Sequence, residues 1–326
     1  MRKYVTIAIT TIFVFAFGFA DAQYTFRVLA NKGQNQVKKE GASAPVALKT
    51  GATLNSGDQL IASQNAYIGL MHKTGKTLEV RTPGVKKISD LEKLVNTKST
   101  SVTNRYAQFL ANKMEEKDKP GYRGNLARAT GAAERALTGK ESIQVLLPPP
   151  ADTEKRNFIS DNVTVSWDSP EGMEENVFIV TVKNHFDEDV WKQEVNGNSV
   201  TIDVTTINLD IDPEYDDEAY LISVAAKEKP EVTSGLPLTI VKMKEAQAAP
   251  IKEELNSIKA ELDEDSPLNH IIFASYYEEK GLLIDALTAI EKAIEMNPDI
   301  EDFKVMKKDI VERNGIKLYK EEGSEE

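Results

Sequence analysis

The residues best suited to acid–base or metal chemistry are three histidines, His72, His185 and His270, and they fall in three different stretches. No pair has the spacing of a helix face or of facing hairpin strands, so no shared metal is expected. His270 reads as a packing residue. Carboxylate pairs such as Glu115-Glu116 and Glu278-Glu279 recur. None has the surroundings that would give a pair of carboxyls the separate roles glycoside-type hydrolysis needs, so they read as solvated faces. The run 210-DIDPEYDDE-218 offers the oxygen ligands calcium prefers, but Tyr215 stands where an EF-hand loop needs glycine. A solvated loop is the favoured reading there, with calcium the alternative. No phosphate-cradling glycine loop, nucleophile elbow or zinc-binding helix occurs. The chain has no cysteine, which removes thiol catalysis, disulfides and cysteine-based zinc sites. No catalytic residue, cofactor or metal is assigned, and the chain is read as a non-enzyme.

These residues sit on a chain of 326 residues, enough for two or three domains. Hydrophobic residues at 40% suffice for packed cores. The net charge of −12 is unevenly spread: residues 23–141 carry 20 Lys/Arg against 10 Asp/Glu, and residues 142–326 carry 18 against 41. The basic half could meet a polyanion such as an envelope carbohydrate. Its cations are scattered rather than striped, so the competing reading is a surface that faces the chain's own acidic half. Nucleic acid is not expected as a partner.

Residues 1–22 read as a secretory signal peptide: Arg2 and Lys3, an uncharged run from Tyr4 to Ala20, then Ala20-Asp21-Ala22 before a cut at Gln23. An uncleaved anchor is the alternative, because the run is nearly long enough to span a bilayer. The expected location is the periplasm or outside the cell, with no membrane-integral part after cleavage.

From Tyr24 to Ile88 the pattern is period two, broken by turn residues, as in β-strands. Ala66, Ile68 and Leu70 form one face, 73-KTGK-76 turns, and Leu78 and Val80 resume. This predicts a hairpin with one buried and one solvated face. Leu48, Gly51, Leu54, Gly57-Asp58 and Leu60, with the strand, turn and strand that follow, resemble the FecR-type domain of bacterial envelope proteins. That resemblance implies a β-sandwich-like binding or regulatory module without catalysis. Val102, Tyr106, Phe109, Leu110 and Met114 then mark an amphipathic helix, with Ser101 or Thr100 as cap.

Pro148-Pro149-Pro150 reads as a linker. Beyond it Val163, Val165 and Trp167, then Phe178, Val180 and Val182, alternate, and Asn196-Gly197 signals a type I′ turn. With Tyr220, Ile222, Val224 and Ala226, these strands resemble a fibronectin type III or immunoglobulin-like sandwich. Ala246–Pro250 reads as a second linker, followed by helices. The stretch 267–298, with Phe273, Ala274, Tyr277, Ala286, Ile290, Ala293 and Pro298, resembles a tetratricopeptide repeat. Small residues at 274, 286 and 293 let two antiparallel helices approach closely.

The expected fold is therefore multidomain and mainly β, with a C-terminal all-α unit. It is made up of a signal peptide (1–22), a FecR-like β-sandwich (23–88), a helix and basic linker region (89–147), an immunoglobulin/fibronectin-like sandwich (148–242), a tetratricopeptide-like unit (251–318) and a disordered acidic tail (319–326). All three resembled families mediate contacts, which implies a protein-binding scaffold of the cell envelope. In the repeat family Leu268, Ile271, Ser275, Glu278 and Glu279 fall at positions that line a concave groove, and this implies a site for a partner segment. The competing expectation is that Leu268 and Ile271 pack on the preceding helix.

Overall fold

The computed structural model describes residues 24–95, 101–117, 142–148, 156–170, 173, 176–210, 217–262 and 265–316. The expected signal peptide, the helix cap at Thr100, the basic stretch 118–141, the centre of the acidic loop and the acidic tail lie outside them. Among the described residues no helix is long and apolar enough to cross a membrane. The architecture is mostly β, with six helices that lie mainly at the C-terminal end.

The first β-unit holds β1 (Phe26–Lys32), β2 (Gln36–Lys38), β3 (Val46–Ala47), β4 (Thr53–Leu54), β5 (Gln59–Ala62), β6 (Tyr67–His72), β7 (Thr77–Val80) and β8 (Gly84–Lys87). Two sheets, β4-β1-β6-β7 and β3-β2-β5-β8, are antiparallel throughout. Phe26, Val28, Ile68 and Leu70 of one share a core with Val37, Leu60 and Ala62 of the other, and Leu91 of α1 (Ile88–Leu94) joins them. The Gly57-Asp58 corner has a clear physical basis. Asp58 is buried and accepts from the backbone N–H of Asn55 (2.9 Å) and Glu40 (3.0 Å) and from Lys39 Nζ (2.8 Å). Burial alone would raise its pKa, but these donors outweigh it and hold the carboxyl below its ordinary value. A Cβ on Gly57 would lie 2.2 Å from a Glu40 carboxylate oxygen.

The expected hairpin is β6–β7, with Ile68 opposite Val80 and Leu70 opposite Leu78. Its second face is not solvated: Tyr67 and Met71 belong to a core shared with the C-terminal helices. Gly69 on that face is so closely covered that a Cβ there would lie 2.6 Å from Leu268 Cδ2.

The second β-unit holds β9 (Gln144–Val145), β10 (Asn157–Phe158), β11 (Asn162–Asp168), β12 (Val177–Lys183), β13 (Asp189–Asn196), β14 (Ser199–Asp203), β15 (Glu218–Ala226) and β16 (Leu238–Lys242). Its sheets run β10-β16-β15-β12-β13 and β14-β11-β9, and only β10–β16 is parallel. Trp167 meets Phe178 edge-on at 5.4 Å in the shared core. That core also takes in Ile143, Val145 and Leu147, so the unit starts before the Pro148 boundary expected from composition. Asn196-Gly197 is not a hairpin turn. Gly197 has the expected positive φ (111°), but β13 and β14 lie in different sheets. Trp167 N–H donates to Asn198 O (2.9 Å) and Gly197 N–H to Asn176 O (2.8 Å), which carries the chain from one sheet to the other.

The helical unit holds α3 (Glu245–Glu261), α4 (Pro267–Glu279), α5 (Leu283–Met296) and α6 (Glu301–Arg313); α2 (Ser101–Lys117) joins it from the basic half. The Ala246–Pro250 linker is not there: these residues are the first turns of α3, and Ala248 is fully buried. Alanine is the best helix former, and Pro250 lies close enough to the start to cost only one backbone hydrogen bond. Ser266 caps α4 by accepting from Asn269 N–H, with Pro267 in the first turn, as the Ser-Pro pair predicts. Ala274, Ala286 and Ala293 are buried where α4 and α5 pack.

Candidate functional site

The helical unit lies between the two β-units and is bonded to both. On the first side Tyr67 meets Phe303 of α6 edge-on at 6.1 Å. Asp302 accepts from Asn31 N–H (2.7 Å) and Thr50 Oγ1 (2.9 Å), and Thr77 Oγ1 donates to Asn269 Oδ1 (2.7 Å). On the second side Ile284 of α5 enters the sandwich core. Asp285, only 1% exposed, accepts from the backbone N–H of Ile159 (3.1 Å) and Ser160 (2.9 Å), and Thr288 Oγ1 accepts from Thr164 N–H (2.9 Å). Burial raises the Asp285 pKa to about 6 against the opposing pull of these donors.

α2 crosses α3 and α4. Tyr106 is fully buried, packs edge-on against Tyr276 at 4.7 Å, and donates its hydroxyl to Glu254 of α3 (3.0 Å). Arg105 reaches Glu254 (3.3 Å) and Glu279 (3.5 Å), and Lys280 pairs with Glu254 at 2.5 Å. Burial pushes up the Glu254 carboxyl, yet Lys280, Tyr106 and Arg105 together hold it below its ordinary value. The same burial, with Glu254 alongside, pushes the Tyr106 hydroxyl up.

The five groove positions do not form an open groove. Leu268, Ile271 and Ser275 are buried, and Ser275 Oγ donates to Ile271 O at 3.0 Å. Leu268 lies on Gly69 of the first β-unit. Glu278, expected to face solvent, makes a buried bidentate pair with Arg313 (2.5 Å) and accepts from Asn314 Nδ2 (2.8 Å). Glu279 pairs with Arg105. What stays open is a groove of about 160 Å³ between α2 and α6, with Ile271, Ala274 and Ser275 at its base and Leu110, Met114 and Met306 on its walls. The residue that sequence reasoning missed is Arg105. The signal was there: a basic half beside an acidic half, and an apolar stripe from Tyr106 to Met114 that needed a cover.

A larger cleft of about 1040 Å³ separates α3 and α4 from the second β-unit, with Lys252, Lys259, His270, Tyr277, Thr164 and Thr201 among its lining residues. His270 Nε2 lies 2.8 Å from Asp265, and the ring packs edge-on to Phe273 at 5.6 Å. Burial, helped by Lys292 and Lys259, lowers its pKa.

No protein-family model matches the chain, and no curated protein matches it.

The other ionisable candidates are placed apart. His72 is buried in the first β-unit, with Nδ1 2.8 Å from Thr74 Oγ1 and Nε2 3.7 Å from Glu92, beyond hydrogen-bond reach. His185 stacks on Phe186. Glu115 pairs with Arg27, and Glu116 with Lys113 at 3.3 Å. Among the described residues no group of His, Asp and Glu is arranged to hold a metal.

Proposed function

We propose that the chain is an exported, non-enzymatic scaffold of the bacterial cell envelope that binds other proteins. The observation that carries this reading is the helical unit wedged between two β-units and hydrogen-bonded to both, which holds their outer surfaces at a set spacing. The ionisable groups that invite catalytic readings are engaged in structure: Asp285 on backbone N–H groups, Glu278 on Arg313, Glu254 on three donors. That use supports a contact role over a chemical one. The leader-like first 22 residues support a location outside the cytoplasm.

The second reading, a binding module for an envelope carbohydrate or other polyanion, draws on the basic half. Lys32 pairs with Asp299 and Arg105 with Glu254 and Glu279, so some of that charge faces the chain's own acidic half. This favours the scaffold. The test is affinity capture with the tagged full chain from an envelope extract, alongside retention on cell-wall polysaccharide at rising salt. Salt-resistant co-purification of a few defined proteins is expected. Salt-sensitive retention on polysaccharide with no protein captured would replace the scaffold with the glycan reading.

A further inference from the structure

This inference rests on the scaffold reading and concerns what occupies the helical face. α2 comes from the basic half, yet Tyr106 bonds Glu254, 148 residues further along the chain. The contact carries a charge code. Arg105, half exposed at the rim, addresses Glu254 and Glu279 together, while Tyr106 beside it is buried. Charges at the edge of a contact set register and partner choice more than they add affinity. The seat is also not packed like an ordinary core. Thr103 is buried with its hydroxyl unpaired among the described residues. Leu110 and Met114 close only one side of the groove beside α6. An unpaired buried hydroxyl and an unfilled groove are uncommon inside a finished core.

We propose that the face formed by α3 and α4 is a helix-docking site whose built-in occupant is α2. A protein partner displaces α2 with a helix of the same chemistry: an Arg–aromatic pair, then apolar residues four and eight positions after the aromatic. In α2 these are Arg105-Tyr106, Leu110 and Met114. The tether gives α2 a high effective concentration, so a free helix is disadvantaged by roughly 10²–10⁴-fold. A successful partner must add contacts, and the groove lined by Met114 and Met306 offers them, because methionine side chains repack readily.

The test uses a fluorescein-labelled peptide of residues 101–117 titrated into three full-length proteins. These are the wild type, a Tyr106→Ala/Leu110→Ala double variant, and an Arg105→Glu variant that disturbs only the rim. The peptide should bind both variants roughly 10²-fold more tightly than the wild type, and a peptide carrying Arg105→Glu should lose at least about tenfold. Equal binding to all three would show that α2 does not occupy the site. No binding to variants with wild-type melting and circular dichroism would make α2 an ordinary core helix. Loss of helical structure in both variants would mean the same, because a displaceable helix is not needed for the unit to fold. Any of these failures leaves protein capture by the wild type untouched. Conversely, peptide binding without any captured partner would remove the scaffold reading while leaving the docking site.

Discussion

The Asp285 latch between α5 and the second β-unit predicts an unusual dependence on pH. Its carboxyl is raised from an ordinary 3.8 to about 6 in the folded protein, burial being the main cause. That difference is worth about 3 kcal/mol. A raised folded-state pKa means that the stabilising contribution is complete below the unfolded value and is lost as pH rises through the folded one. The affected window therefore runs from about pH 4 to somewhat above pH 6. Asp285→Asn removes this titration. It keeps one oxygen to accept from Ile159 or Ser160 N–H and leaves the other donor unmatched, a cost of about 1–3 kcal/mol at every pH. The wild type should thus be clearly more stable than the variant near pH 4. Its advantage should shrink by about 3 kcal/mol, vanishing or reversing, by about pH 7. Urea unfolding of both full-length proteins, followed by tryptophan fluorescence, measures this directly. Both tryptophans, Trp167 and Trp191, lie in the β-unit that Asp285 grips, and taking the difference between the proteins cancels the other carboxylates. An advantage that stays constant or grows with pH would refute the reasoning. It would mean that the backbone donors and the start of α5 outweigh burial and keep the group ionised.

Two further substitutions probe the helical unit. Ile271→Ala should lower stability by about 2–5 kcal/mol, seen as earlier loss of helical circular dichroism, because Ile271 is buried against α2 and α6; wild-type melting would contradict its place in the core. Glu278→Lys should destabilise by about 3–5 kcal/mol by stranding Arg313, and Arg313→Glu in the same chain should restore some of the loss, whereas an unchanged melting curve would show the pair to be exposed in solution.

The local elements were legible in the sequence because each rests on a short-range rule. Alternation at Ile68, Leu70, Leu78 and Val80 specifies the β6–β7 hairpin, since successive strand residues point to opposite faces. Ser266-Pro267 specifies the start of α4 through a side-chain cap and a preset φ. Tyr106, Leu110 and Met114 mark one face of α2, and the alanines at 274, 286 and 293 mark the close packing of α4 on α5. Only the tertiary structure decided what those faces meet. The outer face of β6 was read as solvated because alternation reports a neighbour's presence, never its identity. Gly69 and Leu268, which touch there, lie far apart in the chain. Asn196-Gly197 carries the φ sign of a hairpin, but the same backbone serves a crossing between sheets, and hydrogen bonds to Asn176 and Trp167 chose the crossing. Pro250 suggested a break, and its nearness to the helix start made the break unnecessary. The five groove residues were placed by a repeat pattern that assumes an open concave face. Here α2 and the first β-unit cover it, and Arg313 and Arg105 claim the two acids. A one-dimensional pattern names the surface a helix must bury. Which other segment buries it depends on chain reversal, charge pairing and close packing over long separations, and those exist only once the chain is folded.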